Sequence, residues 1–106
     1  MTKNDQRHEL RAAVIKALAH PTRVMIAEAL GRRKEMCVCE LTELAGADIS
    51  TVSKHLAVMK NAGLLKVEKR GLNQYYRLHC VCLNDFFTCI DGIARARAAS
   101  LQCSFS

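Results

Sequence analysis

The sequence predicts a mainly α-helical domain with one small β-hairpin. Apolar residues recur at helical spacing over most of the 106 residues, and the period changes to two in a single stretch, residues 64–79. Hydrophobic residues make up 50% of the chain and charged residues 25%, which is typical of a globular protein. The length suits one domain, 1–106. We therefore expect a single domain of five helices and a two-stranded hairpin.

Two helices are predicted in the first third of the chain. Apolar residues at every third or fourth position predict the first helix over residues 5–19. Pro21 ends that helix and suits the first turn of a second one, Thr22–Leu30. Gly31 is a predicted stop for the second helix, and the basic residues 32–34 are expected to form a solvated linker.

Residues 37–63 predict two short helices joined by a tight turn. The first covers Cys37–Ala45, and Gly46 follows it. The second begins at Asp48 or Ser50, since either side chain can cap free backbone N–H groups. This is the helix-turn-helix order.

A hairpin and a last helix complete the domain. Apolar residues alternate on both sides of a turn at Gly71 within residues 64–79, which predicts two strands. The helix that follows, residues 83–100, has an apolar stripe of Phe86, Ile90 and Ile93. A helix-turn-helix followed by a basic hairpin is the order of a winged helix-turn-helix, and we predict that fold.

The charge of the chain favours a polyanionic partner. The formal net charge is +6 and the sequence pI is near 9.2. For a small domain this indicates nucleic acid, here double-stranded DNA.

The fourth helix has one apolar and one polar face. Val52, Leu56 and Met59 lie at i, i+4 and i+7, so we expect them to be buried. Short hydroxyls, a cation and an amide on the other face suit contacts with bases and phosphates, and the cationic hairpin suits phosphates. His55 lies at the edge of the buried stripe, where we expect mainly a structural role. The predicted DNA-contacting residues are Ser50, Thr51, Ser53, Lys54, His55 and Asn61 on the helix and Lys69, Arg70, Gln74 and Tyr75 on the wing.

Six cysteines occur in a chain whose N-terminus has no hydrophobic signal region, so we expect a cytoplasmic protein with reduced thiols. Cys37 and Cys39 would point to opposite sides of a regular helix, about 200° apart, so one ion could join them only if the helix start were distorted. Cys80 and Cys82 would face the same side of an extended segment. Cys89 is predicted to be a core residue or a further ligand.

Four segments closely resemble the ArsR/SmtB family of bacterial metal-sensing repressors. They are A-L-A-H-P-T-R-V-M-I, C-V-C-E-L-T-E-L, S-T-V-S-K-H-L-A-V-M-K-N-A-G-L-L and K-R-G-L-N-Q-Y-Y-R-L. The similarity runs from Glu9 to Leu78 in the family's order and spacing. It implies a homodimer held by the first and last helices, an operator of two-fold symmetry, and release of DNA when an inducer binds.

Within that family, C-V-C resembles the arsenic- and antimony-responsive branch. The resemblance implies that Cys37 and Cys39 bind arsenite or antimonite, with no organic cofactor. The branch's fuller motif is C-V-C-x-x-C, and Thr42 stands at its third position. Because arsenite prefers three thiolates, a further sulfur is expected elsewhere. The candidates are Cys80, Cys82, Cys89 and Cys103.

Other functions remain open. The same fold could sense thiol oxidation or persulfide, or respond to cadmium, lead or zinc. The last helix has no histidine, which disfavours the family's zinc site of Asp, His and Glu ligands on that helix. A thiol enzyme is disfavoured because no histidine or carboxylate is placed to activate a thiolate. No membrane association is expected.

Overall fold

The computed structural model describes residues 3–105, with side chains described for residues 6–101. Five helices surround a small antiparallel sheet, and the predicted winged helix-turn-helix is confirmed. The elements in chain order are α1 (Lys3–Leu18), α2 (Pro21–Arg33), β1 (Met36–Cys37), α3 (Val38–Ala45), α4 (Ile49–Asn61), β2 (Leu65–Arg70), β3 (Asn73–Leu78) and α5 (Leu83–Phe105).

The sheet has three strands in the order β1-β3-β2, one more than the sequence predicts. The hairpin of β2 and β3 pairs from Leu65 opposite Leu78 to the turn. The added strand β1 pairs Met36 with Tyr76 and Cys37 with Tyr75. A strand of two residues is too short to show a period of two, so the sequence pattern could not reveal it.

The second helix continues through Gly31 to Arg33, so the predicted stop at Gly31 is wrong. Lys34 ends the helix instead, with a φ of 72° and its N–H donating to the carbonyl oxygen of Leu30 at 2.9 Å. Glycine at position 31 leaves room for the side chain of Asn84 on α5, which would have to move if a Cβ were added there. The residue therefore serves close packing between helices rather than helix termination.

The core forms between α2, α3, α4 and the sheet. Val52, Leu56 and Met59 have no exposed surface, so the predicted buried stripe of α4 is confirmed. Met36 of β1 is 1% exposed and joins the same core. Fully burying a side chain of this size contributes about 1.5–3 kcal/mol, so these contacts fix the position of α4.

Ala17 and Leu18 at the end of the first helix are buried, but other apolar residues of the first and last helices are exposed within one chain. Leu10 and Ile15 on α1 are 69% and 54% exposed, and Ile93 on α5 is 62% exposed. Contiguous exposed apolar faces of this kind mark surfaces for another protein. None of the described helices combines the length and apolar character that a membrane span requires.

Candidate nucleic-acid interface and thiol groove

The outer face of α4 is exposed, as expected for a surface that reads DNA. Ser50, Thr51, Ser53, Lys54 and Asn61 are all exposed there. Of the two predicted capping residues, Asp48 takes the cap position, with extended backbone. Its carboxylate accepts a 2.6 Å hydrogen bond from the Ser50 hydroxyl. Hydrogen bonds from Ser50 and then Thr51 lower the pKa of that carboxyl.

His55 holds α4 against the corner between α1 and α2. Its Nδ1 accepts a hydrogen bond from Arg23 Nε at 3.0 Å, and its ring centroid lies 4.4 Å from that of His20. His20 begins α2, where its Nδ1 accepts from the backbone N–H of Thr22 at 3.1 Å. Arg23 Nη1 also donates to the carbonyl oxygen of Ala17 at 3.4 Å. The expected structural role of His55 therefore has a partner, Arg23, that the sequence analysis missed.

The environment of His55 favours its neutral form. Burial lowers the pKa of this imidazole most, and the neighbouring His20 and Arg23 lower it further. A neutral ring can accept the hydrogen bond from Arg23, whereas a protonated ring would lose that acceptor.

The wing is braced by a cluster around Arg70. Its Nη1 and Nη2 donate to the two carboxylate oxygens of Glu35 at 2.6 and 3.0 Å, and Nη2 also donates to Glu68 Oε2 at 2.9 Å. The guanidinium carbon lies 4.9 Å from the centroid of the Tyr75 ring. The Arg70 hydrogen bonds are the main cause of the lowered pKa of Glu35. The DNA contact predicted for Arg70 stays a prediction, and its charge is already paired within the chain.

Lys69 and Gln74 lie opposite each other near the tip of the wing. They are paired in the hairpin register, and both side chains are exposed. Arg70 is paired with carboxylates, whereas Lys69 has no side-chain hydrogen bond or ion pair among the described side chains. The charge of Lys69 is therefore available to a phosphate.

The thiols of Cys37 and Cys39 share a groove with residues that are predicted to contact DNA. Cys37 is half-buried, Cys39 is exposed, and both are free thiols. The groove has a volume of about 430 Å³ and lies between the start of α3, the start of α4 and the wing tip. Its other lining residues are Val38, Ile49, Ser53, Lys69, Leu72, Asn73 and Gln74. A ligand on these thiols would therefore occupy the space between α4 and the wing.

Cys37 is not helical, which corrects the predicted geometry of the pair. It is the last residue of β1 and precedes α3 with extended backbone, φ −86° and ψ 167°. Its N–H donates to Glu40 Oε1 at 3.1 Å, the largest cause of the lowered pKa of that carboxyl. The separation of about 200° applies only between two helical residues. The two cysteines therefore line one groove without a distorted helix.

Thr42 leaves the groove without a third sulfur on α3. Its hydroxyl donates to the carbonyl oxygen of Val38 at 2.7 Å, one turn earlier in the same helix. Among the described side chains, no three His, Cys, Asp or Glu residues are grouped in a way that could hold a metal ion. The identity of a third ligand stays open.

The other cysteines differ from expectation. Cys80 and Cys82 are joined by a disulfide, so the expectation of reduced thiols is wrong for this pair. The segment is also a turn rather than extended, since the N–H of Leu83 donates to the carbonyl oxygen of Cys80 at 3.3 Å. Cys89 is an exposed free thiol and not a core residue. Cys103 lies in α5, and its side chain falls outside the described part.

Comparison with known proteins gives a family match and several relatives. Residues 20–67 match the family described as bacterial regulatory protein, arsR family. An HTH-type transcriptional regulator of Methanocaldococcus jannaschii is 35% identical over 71 residues, covering 67% of this chain and 80% of that protein. A cadmium resistance regulatory protein CadC homologue of Staphylococcus aureus is 42% identical, covering 63% and 55%. The arsenic resistance regulator ArsR1 of Pseudomonas putida is 41% identical, covering 62% and 52%. The chain spans about half the length of these last two.

Solved structures share the whole architecture. The homodimeric winged helix-turn-helix domain Mb0332 of Mycobacterium bovis has a TM-score of 0.79 and 26% identity, covering 92% of this chain and 90% of that one. The transcriptional repressor BigR of Xylella fastidiosa has a TM-score of 0.73 and 27% identity, covering 88% and 96%.

The lowered pKa of His55 predicts a loss of stability in mild acid. Because the folded chain binds this proton more weakly than the unfolded chain, the unfolded chain binds more protons as the pH falls through 6.5, the ordinary value. The contribution is complete above that pH and is lost below it. We expect the free energy of unfolding in urea to fall less between pH 7.5 and pH 5.5 in His55→Asn than in the wild type.

The control is His8→Asn, which changes an exposed histidine of α1. It should retain the wild-type pH dependence. An equal decrease in the wild type and in His55→Asn would contradict this role of His55.

Proposed function

The chain belongs to the arsR family of bacterial regulatory proteins, and on that premise we propose that it is a DNA-binding repressor released from its operator by a thiophilic metalloid. Its relatives are transcriptional regulators, and it is a regulator rather than an enzyme. The observation that supports the proposal most is the shared groove, in which Cys37 and Cys39 lie beside Ser53 and Lys69.

The proposed DNA contact combines α4 with the wing. The exposed polar face of α4 enters the major groove, where Ser53 and Lys54 reach base edges or phosphates. Lys69 and Gln74 place the wing on the adjacent backbone. The net charge of +6 supplies the long-range attraction and makes binding salt-dependent.

The proposed assembly is a homodimer that acts on a two-fold symmetric operator in the cytoplasm. The exposed apolar faces of α1 and α5, which include Ile15 and Ile93, need a covering surface. The homodimeric M. bovis domain with the same fold supports a second copy as that surface. Symmetry then places the two copies of α4 on two half-sites.

The proposed inducer is arsenite or antimonite, bound by the thiolates of Cys37 and Cys39. Relatives named for arsenic and cadmium resistance support a metal-ion inducer. Soft thiolate ligands favour such ions. Because Cys37 is paired with Tyr75 in the sheet, an ion that pulls on Cys37 also pulls on the wing. The ion would also occupy the groove between the wing and Ser53, which DNA needs.

A second candidate is a repressor that responds to thiol oxidation or persulfide. The Cys80–Cys82 disulfide supports it, because two thiols of this chain lie close enough to be oxidised together. The two candidates separate when arsenite, cadmium, zinc and hydrogen peroxide are compared on the same protein–DNA complex. Release by peroxide alone would select the oxidation sensor.

The first prediction of the proposed function concerns the charge of α4. Lys54→Ala should weaken operator binding and lower the slope of log K against log salt by about 1, since one phosphate contact is removed. Arg70→Ala should lower the slope less, because Glu35 and Glu68 already neutralise that side chain. Fluorescence anisotropy over a salt series measures both. Lys16→Ala on α1 is the matched control and should leave the slope unchanged, whereas an equal decrease for Lys16 and Lys54 would argue against α4 as the reading helix.

The second prediction tests the inducer site. Changing Cys37 and Cys39 together to serine should leave operator affinity within about twofold of the wild type, since a serine retains the size and hydrogen bonding of the thiol. The same variant should no longer be released by arsenite, because the soft ligands are gone. A gel-shift assay with the DNA upstream of the gene measures both. Cys89→Ser changes an exposed thiol outside the groove, so it should retain arsenite release, and a loss of release in this variant would identify Cys89 as the third ligand. Arsenite release that persists in the double variant would disprove this site.

The third prediction concerns Thr42. Residues 39 and 42 are three apart on α3 and lie on one face, so Thr42→Cys should supply the third thiolate. We expect about tenfold tighter arsenite binding, measured by competition with a dithiol chelator. Leu44→Cys is the control, because this partly exposed position lies on another face of the helix. Equal gains for the two variants would mean that an added thiol anywhere on α3 suffices and would contradict the geometry.

A further inference from the structure

We propose that Arg23 is a positioning residue that holds α4 relative to the end of α1 and so sets the half-site spacing that the repressor accepts. The inference rests on the proposed function, a homodimer on a two-fold symmetric operator, and adds the residue that determines the spacing. The observation that supports it is a chain of polar contacts that runs from α1 through Arg23 to His55 of α4.

Arg23 of α2 contacts two other helices at once. Its Nε donates to Nδ1 of His55 on α4 at 3.0 Å, and its Nη1 donates to the carbonyl oxygen of Ala17 on α1 at 3.4 Å. Both donors belong to one planar guanidinium group, so their relative positions are fixed. Arg23 and His55 are half-buried, which strengthens a polar contact relative to one in open water. One side chain therefore links α1 to α4.

His20 supports the acceptor of this link. Its ring centroid lies 4.4 Å from that of His55, and its Nδ1 accepts from the backbone N–H of Thr22 at 3.1 Å. Burial, and then the charges of His20 and Arg23, lower the pKa of His55. The ring of His55 therefore stays neutral at neutral pH, and its Nδ1 is able to accept the bond from Arg23.

The link constrains a motion of α4 that the apolar core constrains less. The buried stripe of α4 fixes how deeply the helix lies, but contacts between apolar side chains have no preferred direction. His55 lies beside that stripe, and a hydrogen bond weakens steeply when its donor and acceptor lose alignment. The bond between Arg23 and His55 therefore resists rotation of α4 about its own axis. Such a rotation would displace the exposed face that carries Ser53 and Lys54.

The orientation of α4 relative to α1 has a consequence for the whole dimer. In the proposed dimer α1 packs on the second copy through exposed apolar residues such as Leu10 and Ile15. The link from α1 to α4 then sets the distance between the two copies of α4, which have to reach two half-sites. One added base pair moves a half-site by about 3.4 Å along the duplex and rotates it by about 35°. A rigid link lets the repressor discriminate against that shift.

The test measures how strongly binding depends on half-site spacing. The probe is the operator located by footprinting in the DNA upstream of the gene, and it is compared with duplexes that have one base pair added or removed at its centre. Fluorescence anisotropy gives the ratio of the affinities, in which a general loss of folded protein cancels. We expect the wild type to prefer the natural spacing about tenfold, and Arg23→Gln should reduce this preference to about twofold.

Two further substitutions separate geometry from charge. Arg32→Gln removes the same charge from α2 at a side chain that is 72% exposed, and it should keep the wild-type preference. Arg23→Lys keeps the charge but loses the planar guanidinium group, so it should lower the preference as Arg23→Gln does. A preference that lysine restores would show that charge alone is required and would overturn the proposal.

The acceptor is tested from the other end of the bond. His55→Leu should lower the preference to the value found for Arg23→Gln, because either change breaks the same contact. Combining the two changes should lower the preference no further, since the second change removes nothing that the first left intact. A lower preference in the double variant than in either single variant would show that the two side chains act independently, which contradicts the link.

The inference and the proposed function can fail separately. A wild type that binds every spacing equally would contradict the two-fold operator, and the role of Arg23 would fall with it. A wild type that prefers the natural spacing, together with an Arg23→Gln variant that keeps the same preference, would overturn only the role of Arg23. That result would stand even where the variant binds every probe more weakly, because an equal loss on all probes is the effect of lower stability.

Discussion

The pairing of Met36 and Cys37 with β3 is the interaction on which the rest of the structure depends. Met36 is fully buried in the core between the helices, and the next residue carries a thiol into the groove. The same two residues are paired with Tyr76 and Tyr75 of the wing. Core, thiol and wing therefore meet within two residues of chain. A displacement of Cys37 cannot be absorbed locally, because its neighbour on one side is held in the core and its partner strand forms the wing.

A polar cluster strengthens this connection on the solvent side. Glu35 precedes β1, and its carboxylate holds Arg70 at the end of β2 with two hydrogen bonds. The pair is partly exposed, so its contribution to overall stability is small. Its value lies in geometry, since a bidentate pair fixes both partners in one arrangement. The wing is thus tied to the segment before the thiol groove by backbone pairing and by side chains, so a movement at Cys37 has two routes to the wing, where a DNA contact is proposed.

The features that the sequence predicted are those that depend on residues close together in the chain. Periodic apolar residues identified all five helices and the hairpin, and the buried stripe of Val52, Leu56 and Met59 was predicted because helical spacing is a local property. The missed features are contacts between distant positions. Gly31 packs against Asn84, and the wing brace joins Glu35 to Arg70. No local sequence pattern records either contact. The predicted angle of about 200° between Cys37 and Cys39 was wrong for a related reason. Cys37 ends a two-residue strand at the position where the helix was expected to begin.

If the proposed function holds, the shared groove also sets how metalloid and DNA would affect each other. A ligand shifts an equilibrium only by its difference in affinity for the two states. Here that difference has a direct origin, because Cys37 and Cys39 line the same space as Ser53, Lys69 and Gln74. Coupling between two binding sites is reciprocal, so any factor by which the metalloid weakens DNA binding is also the factor by which DNA weakens metalloid binding. A repressor of this design would consequently hold its inducer more weakly on the operator than in free solution, and the free protein would bind the metalloid first. Release would then proceed by two routes. The metalloid would bind free repressor and prevent it from rebinding the operator, and it would also displace repressor that is already bound.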